Sequence, residues 1–97
     1  MTKVYISGKI NGMFSEAAMR FKVAEIGLLK KRFEVINPMD LPHNHNKEWS
    51  SYMREDISAL CECDAIYMLT NWRDSRGSKI EHEIAIALDM AIMYEPY

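Results

Sequence analysis

The chain has 97 residues, of which 48% are apolar and 27% charged, and it carries a net charge of −2 at pH 7. This size fits one domain over residues 1–97 with a modest core. The charge balance argues against a surface for polymeric nucleic acid, and no run approaches the ~20 apolar residues of a membrane span.

"KVYIS" near the N-terminus is short, β-branched and apolar and stops at Gly8, which predicts a buried strand. "GKINGM" follows as a glycine-bearing loop. Apolar residues then recur at Phe14, Ala17, Ala18, Phe21, Ala24 and Leu28, the stripe of an amphipathic helix, with Ser15 as its expected N-cap. "LLKKR" is read as the solvated end of that helix. "FEVIN" is a second strand ended by Pro38, and "PMDLPHNHNKE" a polar loop. Trp49, Met53, Ile57 and Leu60 mark a second helix, with Asp56 at the border of its apolar stripe. "AIYML" is a third strand and "TNWRDSRGS" a third loop. Ile80, Ile84, Ala87, Leu88 and Ala91 stripe a third helix, and "AIMYE" either prolongs it or forms a last short strand.

Apolar strands alternating with helices predict an α/β fold: a flavodoxin-like three-layer sandwich around a short, mostly parallel sheet of four strands. Ligands of such sheets bind beyond the C-terminal strand ends, where strand order reverses. The loops "SGKINGM", "NPMDLPHNHN" and "TNWRDSRGS" all belong to that edge and hold most of the glycine, asparagine and histidine.

Two of these loops carry candidate chemistry. In "SGKING", Gly8 and Gly12 would let backbone N–H groups approach an anion ahead of a helix N-terminus, with Ser7 and Asn11 adding side-chain donors. In "SRGSKIE", Ser78 and Glu81 match the S-x-x-E capping box. The same first-turn position would let the helix dipole favour an ionised Glu81, the state a nucleophile needs, beside hydroxyl and backbone donors from Ser75, Gly77 and Ser78. Spacing alone leaves both readings open. Asp64 is expected to end the second helix or to make a local hydrogen bond. Tyr5 is a core aromatic whose hydroxyl needs a partner once buried. Trp49, Tyr52 and Trp72 could stack on a flat ring; core packing is the better expectation for Trp49, while Trp72 falls in a site loop. "CEC" supports neither a disulfide framework nor a zinc site, and His43 and His45 lack a third ligand at suitable spacing, so neither metal nor cofactor is expected. No secretory signal stands out at the N-terminus, and a cytoplasmic location follows by default.

Taken together, "VYISGKING", "INP", "YMREDISALCECDAIYML", "NW" and "SRGSKIEHEIAIAL" resemble the nucleoside 2-deoxyribosyltransferase superfamily, in particular its small phage and bacterial branch. The resemblance implies cleavage of the N-glycosidic bond of a 2′-deoxynucleoside or its 5′-monophosphate. It places the nucleophile on Glu81, an orienting tyrosine on Tyr5, and an aspartate that binds or protonates on Asp56. A serine at Ser75, where nucleoside transferases commonly carry aspartate, resembles the monophosphate hydrolases, whose serines and glycines bind phosphate. Members of the superfamily extend beyond the point matching Tyr97 and often complete a neighbour's site from there, so a homodimer or larger homo-oligomer is expected. Two rivals remain. One is a non-catalytic nucleotide-binding module in which Glu81 only caps its helix. The other is an assembly protein with an exposed methionine surface that includes Met90 and Met93.

Overall fold

A computed structural model describes residues 1–42 and 48–96. The elements run β1 (Lys3–Ser7), α1 (Phe14–Lys30), β2 (Glu34–Ile36), α2 (Trp49–Cys61), β3 (Ala65–Met68), α3 (Arg76–Ala87) and β4 (Ala91–Tyr94), with short 3-10 turns at Pro38–Asp40 and Trp72–Asp74. The four strands form one sheet in the order β2-β1-β3-β4, and every pairing is parallel. "AIMY" is therefore a strand, in register with β3 from Ala65↔Ala91 to Met68↔Tyr94. The chain leaves β1 for β2 and then crosses back to β3, so strand order reverses between β1 and β3. No helix among the described residues is long and apolar enough to cross a membrane.

The period-2 alternation of side chains divides the core in two. Val4 and Ile6 of β1, with Ala65 and Leu69, pack against Ala17, Phe21, Ala24 and Leu28 of α1. Tyr5, Ile66 and Met68 face the other way, into a cluster with Leu60 and Ala85 of the helices on the second face. The result is the three-layer α/β/α arrangement expected from the pattern. Met90 and Met93 are partly buried and pack on these clusters, so these two do not form an exposed methionine surface, whereas Met1 and Met19 are exposed.

Local details depart from the expectations in instructive ways. Met13, not Ser15, is the N-cap of α1, and no side chain caps that end. Asp64 makes a long-range bond instead of a local one: its Oδ2 accepts the Lys3 amide at 2.9 Å and fastens the entry of β3 to the start of β1. On α2 the buried face is Met53, Asp56 and Leu60, so Asp56 sits inside the stripe rather than at its border. On α3 it is Ser78, Glu81 and Ala85, while Ala87 and Leu88 of the expected stripe are exposed. Ile80 and Ile84 lie half-buried at its edge.

Candidate functional site

α3 begins one turn earlier than the capping-box reading requires. Its N-cap is Ser75, whose Oγ accepts the Ser78 amide at 3.1 Å. Glu81 therefore lies in the second turn, too deep to cap anything, and its side chain crosses to β1. The Tyr5 hydroxyl donates to Glu81 Oε2 at 2.8 Å and the Ser7 hydroxyl donates to Oε1 at 2.7 Å. Strand geometry makes this possible: residues two apart on β1 point to the same face, so the two hydroxyls stand side by side under one carboxylate. Ser7, expected beside an anion, directs its hydroxyl at the Glu81 carboxyl and also lines a cavity together with Glu81.

The carboxylate is only 5% exposed. Burial raises its pKa to about 7, against the opposing pull of the Ser7 and Tyr5 hydrogen bonds, and the charge of Asp56 raises it further. Burial thus works against the expected effect of the helix N-terminus in favouring an ionised Glu81. The dipole acts mainly within the first turn, and desolvation outweighs two neutral donors. Tyr5 is pushed well above its ordinary value, by burial first and then by the Glu81 charge, so it remains a donor.

Glu81 lies at the floor of a cavity of about 640 Å³. Tyr5, Ser7, Gly8, Asn11, Asp56, Ser75, Gly77 and Ser78 line it as well, so every catalytic or phosphate-binding candidate named from the sequence except Gly12 reaches the same hollow. The glycines have packing and turn roles there. A Cβ on Gly8 would sit 2.6 Å from Leu69 Cδ1, and one on Gly77 3.0 Å from Met53 Sδ, so both admit close neighbours. Gly12 turns the exposed loop at φ +79 and faces open space. Asn71 ties the loops together: its Oδ1 accepts the Lys9 amide at 3.1 Å.

The cavity also has an apolar lining, of which Phe14, Met39 and Leu41 were missed. Phe14, Met39, Leu41, Trp49 and Tyr52 form it, contributed by the start of α1, the loop after β2 and the first turn of α2. The two tryptophans exchange their expected roles. Trp49 is half-buried on the cavity wall with the Arg76 guanidinium 4.2 Å over its ring. Trp72 is buried in the core cluster, its ring 4.3 Å from that of His82. The sequence signal for Trp49 was its place directly after an edge loop, which the apolar periodicity of α2 obscured. His43 and His45 lie outside the described residues. Both cysteines are free, and burial raises the Cys63 thiol to about 11, which keeps it a thiol.

The assembled parts are a buried, hydroxyl-held carboxylate near its titration midpoint at neutral pH, a second carboxylate on α2, the N-terminal turn of α3, and an apolar lining of the same cavity. Such a set can bind a ligand with one flat apolar end and one polar end, and can present a carboxylate to it. A solved structure described as a 2-desoxiribosyltransferase from Leishmania mexicana shares the fold, with a TM-score of 0.73 and 17% identity over 97% of this chain. The chain spans 63% of that structure's length. No curated protein matches. One family matches over residues 2–94, and the chain belongs to it: the domain of unknown function DUF4406.

Proposed function

We propose that the chain cleaves or transfers at the N-glycosidic bond of a 2′-deoxynucleoside or its 5′-monophosphate, with Glu81 as nucleophile. One observation carries the reading: Glu81 lies buried at the floor of the cavity with one hydroxyl donor on each oxygen, and among the described residues it enters no ion pair. A carboxylate serving only the fold would be expected to face water or a cation, because burying it unpaired is costly. A nucleophile needs this kind of restraint: a fixed rotamer, remaining lone pairs aimed into the cavity, and no cation to quench it.

In the proposed step, Glu81 forms a bond to C1′ as the C1′–N bond breaks through an oxocarbenium-like transition state. The base departs with the electron pair and takes a proton from Asp56 or from a water it holds. Water, or the N–H of a second base, then gives its proton to the Asp56 carboxylate or the water it holds as it bonds to C1′, and the C1′–Glu81 bond breaks to release the carboxylate. Trp49 and Tyr52 would stack on the base. The first turn of α3, with the Ser75, Gly77 and Ser78 linings, would receive the sugar 5′ end or its phosphate. The fold likeness to a deoxyribosyltransferase supports this assignment.

The test is mass spectrometry of the protein incubated with 2-fluoro-2-deoxy analogues of nucleosides and of their 5′-monophosphates. The wild type should gain one sugar on the peptide that contains Glu81 and release free base, while Glu81→Gln gains none. Binding of natural nucleotides in thermal-shift assays, with neither adduct nor base release for any base tried, would instead favour a non-catalytic binding module.

A further inference from the structure

α1 is apolar on two sides. Ala17, Phe21, Ala24 and Leu28 meet the sheet, but Met19 is 71% exposed, Val23 67% and Ile26 46%. At 3.6 residues per turn, Ile26, Met19, Lys30, Val23, Glu16 and Gly27 share one arc of about 100° on the side away from the core. The order along that arc is self-complementary. Met19 and Gly27 lie equally far from Val23 in opposite directions, and so do Glu16 and Lys30. An antiparallel copy turned about a two-fold axis at Val23 would therefore set Val23 on Val23, Met19 on Gly27, and Glu16 on Lys30.

Two independent features fit this register. Gly27 interrupts a long helix, where glycine weakens the element relative to alanine, yet a Cβ there would meet nothing within 4 Å. Its own fold gives no reason for the small residue, whereas an approaching Met19 does. Lys30 forms no ion pair among the described residues, and Glu16 pairs only with Arg20 on its own helix at 3.2 Å. Opposite charges at the two ends favour the antiparallel alignment and disfavour the parallel one.

We propose that the outer face of α1 is a self-association surface that a second copy of this chain covers antiparallel, with the two-fold axis at Val23. A single helix pair covers less than the roughly 800 Å² per partner of a standard interface, so the dimer should dissociate on dilution.

The test is sedimentation of the purified chain over a range of concentrations, with a crosslinking arm. The wild type should shift from monomer to dimer as concentration rises, and Val23→Glu should remain monomeric with an unaltered thermal melt, because the position is exposed. Glu16→Lys should weaken the dimer about tenfold or more, and Glu16→Lys with Lys30→Glu should restore it. In a Cys61→Ser background, Val23→Cys should form an interchain disulfide on oxidation. A wild type that is monomeric throughout, a dimer indifferent to Val23→Glu, or a Val23→Cys protein that fails to crosslink would each overturn the proposal. Catalysis is not involved in any of these readouts, so the outcome is independent of the function assigned to the cavity.

Discussion

Glu25 and Glu81 each accept two hydrogen bonds from side chains, and the two regions shift them in opposite directions. At the seam between α1 and the turn after β2, Glu25 Oε1 accepts from Lys22 Nζ at 2.8 Å and Asn37 Nδ2 at 3.2 Å. The Lys22 bond holds its carboxyl below the usual range. On the cavity floor, Glu81 accepts from two neutral hydroxyls and rises to about 7. The number of donors does not decide the outcome. A cation in contact with solvent favours the charged form, whereas neutral donors in a dry site only reduce the desolvation penalty. The first arrangement anchors a surface turn. The second keeps a carboxylate poised between its two protonation states near neutral pH, as a reacting group requires.

The sharpest way to break this contrast is the pH dependence of stability. The folded chain holds the Glu81 proton up to about pH 7, while the unfolded chain releases it near 4.5. Between those values the folded state binds more protons, so stability falls as pH rises through the window and stays lower above it. The shift corresponds to about 3 kcal/mol. Glu81→Gln should flatten the decline and make the protein more stable than the wild type at pH 8, as measured by chemical denaturation. Two proteins with parallel pH profiles would refute the assigned burial cost. If the proposed chemistry holds, wild-type kcat/KM should rise with pH through about 7, since the nucleophile must be ionised.

Removing one hydroxyl should have a smaller effect. Tyr5→Phe and Ser7→Ala each leave one oxygen of Glu81 without its donor, at a cost of roughly 1–3 kcal/mol when the carboxylate is charged. The loss should be greater at pH 8 than at pH 5, and the midpoint of the activity profile should move upward in both variants. A stability loss equal at the two pH values would show that the hydroxyls serve packing alone.

The smallest effect belongs to the other glutamate. Glu25→Gln should cost at most ~1 kcal/mol, because the pair with Lys22 is screened by solvent. With the folded pKa lowered, this contribution is present above about 4.5 and disappears as pH falls below it, the reverse of the Glu81 profile. A Glu25→Gln variant that lost stability mainly above neutral pH would contradict the comparison.

Much of the fold was legible in the residues. "KVYIS" and "AIYML" announce buried parallel strands, because short β-branched runs without polar alternation belong in sheets covered on both faces, and "FEVIN" announces a further strand, which lies exposed to half-buried at the sheet edge. Placing the site at the C-terminal sheet edge followed from the β-α-β order, and Ser7, Gly8, Ser75, Gly77 and Ser78 of the edge loops line the cavity, while Gly12 does not. The faces of α2 and α3 were not legible. Apolar periodicity points to Ile57 and to the isoleucines of α3, yet the helices bury Asp56 and Glu81, and Glu81 is held there by the Tyr5 and Ser7 hydroxyls of β1. A moment built from hydrophobicity cannot register a polar group that a neighbouring element satisfies. The same blindness assigned Trp49 to the core and Trp72 to the site.

By itself, then, the sequence determined the order of elements, the parallel sheet and the edge where a ligand would sit, since these follow from local periodicity and chain connectivity. Only the tertiary structure decided that Glu81 reaches Tyr5 and Ser7 instead of capping α3, and that it holds its proton to about pH 7. A side chain's partners and its desolvation belong to the space that several distant segments enclose, and no single segment carries them.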